Sequence, residues 1–199
     1  MTVSLLVSTY NWPRALYLCL DSVMQQTILP DEILIADDGS GMATRDVVKH
    51  FERISPVPVR HIWHEDRGFR VATIRNKAIA ASTCDYIIQI DGDLILERHF
   101  VQDHILFAKP GCYVSGSRGI ITEALTRQVL SGAITSLSAL TKGVRCSNNV
   151  MRIPFMAIIY RMIAGSKSPR SCNMALWRED AIRVNGYDES FEGWGYEDT

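Results

Sequence analysis

Four short apolar runs govern what this chain can become: Val3–Val7, Glu32–Ala36, Val59–Trp63 and Tyr86–Ile90. Each reads as a strand, because each is brief, apolar and bounded by polar or turn-forming residues. Helical patterns lie between them. The first runs from Pro13 to about Gln26, with Leu16, Leu20, Val23 and Met24 on one face and Asn11 as its expected cap. A second passes through Val47, Val48 and Phe51, and a third covers Val71–Ala81. Strand and helix alternate throughout, which predicts an α/β fold with a mostly parallel sheet covered on both faces.

Ligands of such sheets bind at the carboxyl ends of the strands. Three polar clusters fall there: Ser8-Thr9-Tyr10-Asn11, Asp37-Asp38-Gly39-Ser40 and Asp91-Gly92-Asp93. Beyond Asp93 the pattern loosens. Cys112–Ser115 and Cys172–Trp177 read as strands, Ile120–Lys142 as helical with a break at Gly132, and Glu179–Val184 as a short helix. The last residues are acidic, glycine-rich and aromatic.

Composition narrows the class. The 199 residues are 47% hydrophobic and 22% charged, which suits a globular chain and excludes disorder. A net charge of −1 offers no global field for nucleic acid. The charge is unevenly spread, however: Ala124 to Arg178 carries eight basic residues and no acidic one, and the acidic excess lies elsewhere. Those cations fit an ordinary helical surface, an anionic acceptor or a membrane surface. Five cysteines without a CxxC indicate neither a disulfide framework nor a zinc site. Met1 leads straight into a strand, with no signal-peptide pattern, and the apolar stretch Ile153–Ile163 is short of the about 20 residues a span requires.

Asp91-Gly92-Asp93 can hold a hard divalent cation, which takes one or two carboxylates plus phosphate and water oxygens. A solvated turn would use the same residues. Asp38 can accept hydrogen bonds from a base or a ribose, although Asp, Gly and Ser equally suit a turn and helix cap. Arg75, on the third helix, can bring positive charge to a diphosphate, with Arg67 and Arg70 as further candidates. Lys77 reads as a solvated helix position, and His61 and His64 as structural. Glu197 and Asp198 stand beside Trp194 between two glycines, a platform for stacking a sugar ring with a carboxylate able to act as general base. A flexible acidic terminus would look the same.

Taken in order, Ser8-Thr9-Tyr10-Asn11 with Pro13, Ser22-Val23-x-x-Gln26-Thr27, Asp37-Asp38-Gly39-Ser40, Arg75-Asn76, Asp91-Gly92-Asp93 and Gly193-Trp194-Gly195-x-Glu197-Asp198 resemble the family-2 glycosyltransferases. The tail is similar to the Glu-Asp segment of β-1,4-galactosyltransferases and chondroitin-type polymerases. The resemblance implies a GT-A fold, Rossmann-like, and an inverting enzyme. It places Ser8, Tyr10, Asn11 and Asp38 on the nucleoside, Asp38 on the base itself. It places Asp91 near the ribose or sugar and on the metal side, Asp93 on Mn²⁺ or Mg²⁺, and Trp194 at the sugar. Glu197 would bind the acceptor and Asp198 would be the base.

The resemblance further implies a nucleotide-sugar donor, uridine by preference, and a glycan or lipid-linked acceptor of the bacterial cell envelope. The expected location is cytoplasmic, with the basic segment at the inner face of the membrane. One glycosyltransferase domain, 1–199, is expected, with a nucleotide-sugar half at 1–95 and an acceptor half at 96–199 that ends early; such a chain would bind nucleotide and turn over slowly. Competing readings are a nucleotide-sugar-binding module without turnover and a sugar nucleotidyltransferase. The latter would carry a glycine-rich phosphate loop after the first strand, where this chain has Ser8-Thr9-Tyr10-Asn11-Trp12. A GxGxxG dinucleotide fingerprint is absent, and a dehalogenase-type phosphatase would carry its Asp-x-Asp after the first strand rather than the fourth.

Overall fold

A computed structural model describes residues 1–153 and 171–190. The chain forms two compact units, Met1–Ser115 with Arg170–Thr199 and Gly116–Pro169. In the first, β1 (Val3–Thr9), α1 (Pro13–Met24), β2 (Glu32–Asp37), α2 (Met42–Ile54), β3 (Val59–Trp63), α3 (Val71–Ala81) and β4 (Tyr86–Asp91) follow one another. Then come α4 (Phe100–Phe107) and β5 (Val114–Ser115). The second unit contributes β6 (Ile120–Ile121), α5 (Glu123–Leu130) and β7 (Val144–Arg145), and the chain returns through β8 (Asn173–Trp177) and α6 (Arg178–Arg183). Among the described residues no helix is long and apolar enough to cross a membrane.

The main sheet has the order β3-β2-β1-β4-β8-β5. β1 pairs in parallel with β2 and with β4, and β2 with β3; β8 is antiparallel to both β4 and β5. Both faces are covered, which is why the central strands read as unbroken apolar runs. On one face Val3, Leu5, Val7, Ile33, Ile35, Ile88 and Ile90 pack against Leu16, Leu20 and Val23 of α1, Val48 and Phe51 of α2, and Val101 of α4. On the other, Leu6, Leu34, Ala36 and Ile87 meet Ile74, Ala78 and Ile79 of α3 and Ala181 of α6. Each fully buried valine, leucine, isoleucine or phenylalanine among them contributes about 1.5–3 kcal/mol. The mostly parallel, doubly covered sheet expected from the sequence is therefore present.

Two local expectations are corrected. Asn11 does not cap α1: Trp12 holds the capping position, and Asn11 takes φ +44 instead. The helix expected over Ile120–Lys142 is confined to α5. Gly132 turns left-handed at φ +81, and the amides of Ala133 and Ile134 fold back onto the Gln128 carbonyl, so the helix closes rather than continues. All five cysteines are free thiols; Cys19, Cys84 and Cys172 are buried, while Cys112 and Cys146 are exposed.

At the sheet end opposite the polar clusters, Glu32 is buried and stitches three segments together. It accepts the Ser4 hydroxyl at 2.7 Å, the Thr83 amide at 2.8 Å and Arg60 Nη1 at 3.4 Å. Burial pushes its carboxyl up, but the bonds from Ser4 and Thr83 outweigh burial and hold it below the usual range. The stability it contributes is therefore complete above an unfolded pKa of about 4.3 and is lost as pH falls through the lower folded value. Glu32→Ala should cost about 1–3 kcal/mol at pH 7 by leaving buried donors unpaired. The urea midpoint of the native chain should also drop further between pH 7 and pH 3 than that of the variant. Equal drops would show that Glu32 carries none of the acid sensitivity.

Candidate functional site

The order of strands reverses between β1 and β4. From β1 the chain moves outward through β2 and β3, then crosses back to place β4 on the other side of β1. Such a reversal opens a crevice at the carboxyl ends of the two central strands. The register puts Ser8 level with Ala36 on one side and Asp91 on the other, and Thr9 level with Asp37. The three polar clusters thus share one rim.

The Asp37–Ser40 turn is held by an inward carboxylate. Asp37 is fully buried, accepts the Ser40 amide at 2.8 Å and lies 2.8 Å from His61 Nε2. Burial would raise its pKa, but His61 and Ser40 together keep the carboxyl below its ordinary range. Asp38 is positioned from both ends. Its amide donates to the Thr9 carbonyl at 3.0 Å, Oδ1 lies 2.6 Å from His64 Nε2, and Oδ2 accepts the Arg70 amide at 2.9 Å. Lys77 Nζ sits 3.4 Å from His64 Nδ1. A lysine can only donate there, so Nε2 carries the proton toward Asp38.

Tyr10 and Asn11 flank this turn. Asn11 and the turn bond reciprocally: its amide donates to Ser40 Oγ at 2.8 Å and its Oδ1 accepts the Gly41 amide at 3.0 Å. The Tyr10 hydroxyl donates to Asp66 at 2.9 Å, and that bond raises the phenol's pKa. The Tyr10 ring itself is exposed, as is Trp63, whose indole donates to the Ser40 carbonyl at 3.1 Å beneath the Arg45 guanidinium.

On the far side of β1, the Gly92 amide donates to the Ser8 carbonyl at 2.7 Å. A Cβ on Gly92 would stand 3.0 Å from that oxygen and 3.3 Å from Thr9 Cβ, so the close approach of the two strands favours glycine. Arg75 is 3% exposed and bridges the crevice. Its Nε donates to Ser8 Oγ and its Nη2 to Asp91 Oδ1, each at 3.2 Å. Arg75, a candidate for the diphosphate in the sequence, is thus buried at the rim with its guanidinium on Asp91. Asp93, one residue past Gly92, is exposed. Beneath them the Cys19 thiol is pushed strongly up, by burial first and then by the charges of Asp93 and Asp91.

His61 and His64, read as structural, each orient one carboxylate of the Asp37-Asp38 pair. Their pairing was not visible in spacing, because it joins β3 and the following loop to β2. Trp194, Glu197 and Asp198 lie outside the described residues.

The family model described as "Glycosyl transferase family 2" matches residues 4–182. The chain belongs to this glycosyltransferase family. It is 22% identical over 220 residues to a chondroitin synthase of Escherichia coli, covering 99% of this chain and 31% of that protein. It is 27% identical over 217 residues to a validoxylamine A glucosyltransferase of Streptomyces hygroscopicus subsp. limoneus, covering 98% of this chain and 46% of the other. The chain thus spans less than half of the length of each of these relatives.

Among solved structures, a mannosyltransferase of Pyrobaculum calidifontis in complex with GDP-Man and Mn²⁺ superposes with a TM-score of 0.67 at 19% identity, over 98% of this chain and 49% of that one. S. aureus TarS in complex with UDP-GlcNAc gives 0.58 at 17% identity, over 100% of this chain and 51% of that one. The chain therefore has the GT-A architecture that the sequence resemblance implied.

Proposed function

We propose that the chain transfers a sugar from a nucleoside-diphosphate sugar, a UDP-sugar by preference, to a hydroxyl of a glycan or lipid-linked acceptor, with inversion. The observation that carries this is the register of β1, β2 and β4, which brings Ser8, the Asp37–Ser40 turn and Asp91-Gly92-Asp93 to one rim. The P. calidifontis enzyme, bound to GDP-Man and Mn²⁺, supports a nucleotide sugar and a divalent cation here; the TarS complex with UDP-GlcNAc supports uridine.

The donor set fits Mn²⁺ or Mg²⁺. Asp91 and Asp93 offer hard oxygens, and among the described residues no cluster of three His, Cys, Asp or Glu supplies a complete protein cage. A cation completed by diphosphate and water suits such a pair. When bound, it would offset the charge that builds on the departing diphosphate. Asp38, locked by His64 and the Arg70 amide, would accept from the base; Ser8 and Tyr10 would line the nucleoside and Asn11 would hold the turn. Trp194 would stack on the sugar and Glu197 would orient the acceptor. Asp198 would take the acceptor's hydroxyl proton as that oxygen bonds to the anomeric carbon. The bond from that carbon to the diphosphate breaks as the new one forms, its electron pair leaves on the diphosphate oxygen, and the configuration inverts. The cations of residues 124–178 suit an anionic acceptor or lipid surface on the acceptor side.

A thermal-shift series of nucleoside diphosphates with and without Mn²⁺ tests the donor half. UDP at a hundredfold excess over its dissociation constant should add about 2.7 kcal/mol, or about 5–10 °C at this chain length, and EDTA should remove the gain. NMR of the product formed from an α-linked UDP-sugar should show a β-linkage. No shift with any nucleoside diphosphate would overturn the proposal.

A further inference from the structure

The chain leaves α6 through two consecutive left-handed residues, Asn185 at φ +64 and Gly186 at φ +67. This turn lays residues 186–189 along α3. Asn76 on that helix meets it with its whole amide group. Nδ2 donates to the Tyr187 carbonyl at 2.8 Å and to Glu189 Oε1 at 2.9 Å, and Oδ1 accepts the Tyr187 amide at 2.8 Å. Thr73, one turn earlier, donates to Glu189 Oε2 at 3.1 Å. A Cβ on Gly186 would stand 2.3 Å from Asn76 Oδ1, so Asn76 fills the space that glycine leaves. The Tyr187 hydroxyl donates to Gln89 on β4 at 3.1 Å, and the Tyr187 ring lies 5.5 Å from the Arg75 guanidinium that holds Asp91.

We propose that Asn76, with Thr73 and Glu189, is a positioning clasp that fixes residues 186–189 on α3 beside the Arg75–Asp91 pair, and so sets the rate of transfer without setting nucleotide affinity. This rests on the function proposed above. Three features support it. Asn76 satisfies two backbone groups of a non-helical segment 111 residues away. The same segment runs directly into the candidate base and acceptor residues. Arg75 and Gln89 connect it physically to β4, whose end carries Asp91.

The test compares metal-dependent UDP binding with UDP release from a UDP-sugar in the presence of acceptor. In Asn76→Ala, UDP affinity should stay within about twofold while kcat falls at least tenfold. Amide exchange over residues 184–190 should quicken in parallel. Glu189→Ala removes an exposed side chain without threatening the core, and should lower kcat about threefold or more in the same direction. N76D places a second carboxylate against Glu189 and should be as impaired as N76A. N76D/E189Q reverses donor and acceptor across that contact and should recover part of the lost kcat, an effect that a general fold defect would not give. Unchanged kcat in N76A with UDP binding intact, or no recovery in the double variant, overturns this inference alone. A wild-type chain that binds no nucleoside diphosphate overturns the function proposed above, and this inference with it.

Discussion

Asp93→Ala is expected to remove metal-dependent UDP binding and to lower turnover by a factor of about 10³ or more, while leaving the fold intact. The reasoning starts from exposure. Asp93 projects at the rim rather than into the core, so its loss leaves no buried donor unpaired, and the urea midpoint should scarcely move. The chemical loss is of another order. Under the proposed function Asp91 and Asp93 would supply the two carboxylate ligands of the cation, and losing one would weaken its hold and the offset it would give to charge on the leaving diphosphate. A loss of about 4 kcal/mol from the transition state is about a thousandfold in rate. Asp91→Ala is a poorer probe, because it strips Arg75 of the carboxylate it holds at 3.2 Å and so mixes packing with chemistry. Measurement of UDP affinity with and without Mn²⁺ separates the cases. Wild-type metal dependence surviving in D93A would move the cation to another group.

The rim was legible because parallel strands announce themselves twice, by an apolar run and by the polar residues that end it. Val3–Thr9, Glu32–Asp37 and Tyr86–Asp91 all do so, and the sheet register then sets Ser8 beside Asp91 and Thr9 beside Asp37. What stayed hidden depends on contacts between distant segments. Nothing in the spacing of His64 shows that it will face Asp38, since the link forms only when the loop after β3 folds over β2. Asn76 and Tyr187 meet across 111 residues, largely through backbone atoms that carry no sequence signal. Asn11 looked like a cap because Asn before Pro is a helix-start pattern, yet its side chain satisfies the Gly41 amide instead. In 120–142 the helical periodicity outran the helix, because a left-handed Gly132 weighs more than the apolar spacing beyond it.

Gly39→Ala should destabilise the chain by about 3 kcal/mol or more and reduce UDP affinity at least tenfold. Gly39 adopts φ +100, where a side chain is strained at a cost of about 1–3 kcal/mol. The space is closed as well. A Cβ there would lie 2.6 Å from Asp66 Cα and 2.7 Å from Asp66 N, backbone atoms that yield only if the segment moves, and crowding of this kind adds about 1–3 kcal/mol. That segment also carries the groups that position the rim: His64 on Asp38 and Asp66 on Tyr10. Displacing it disturbs both proposed nucleoside contacts at once, so stability and affinity should fall together. Gly68→Ala separates the two costs. Gly68 is also left-handed, at φ +87, but a Cβ there meets nothing within 4 Å, so only the conformational cost remains and UDP affinity should stay within about threefold. Urea unfolding and UDP titration of both variants decide the matter: equal losses in G39A and G68A would mean that backbone strain alone, and not the approach of Asp66, shapes this side of the crevice.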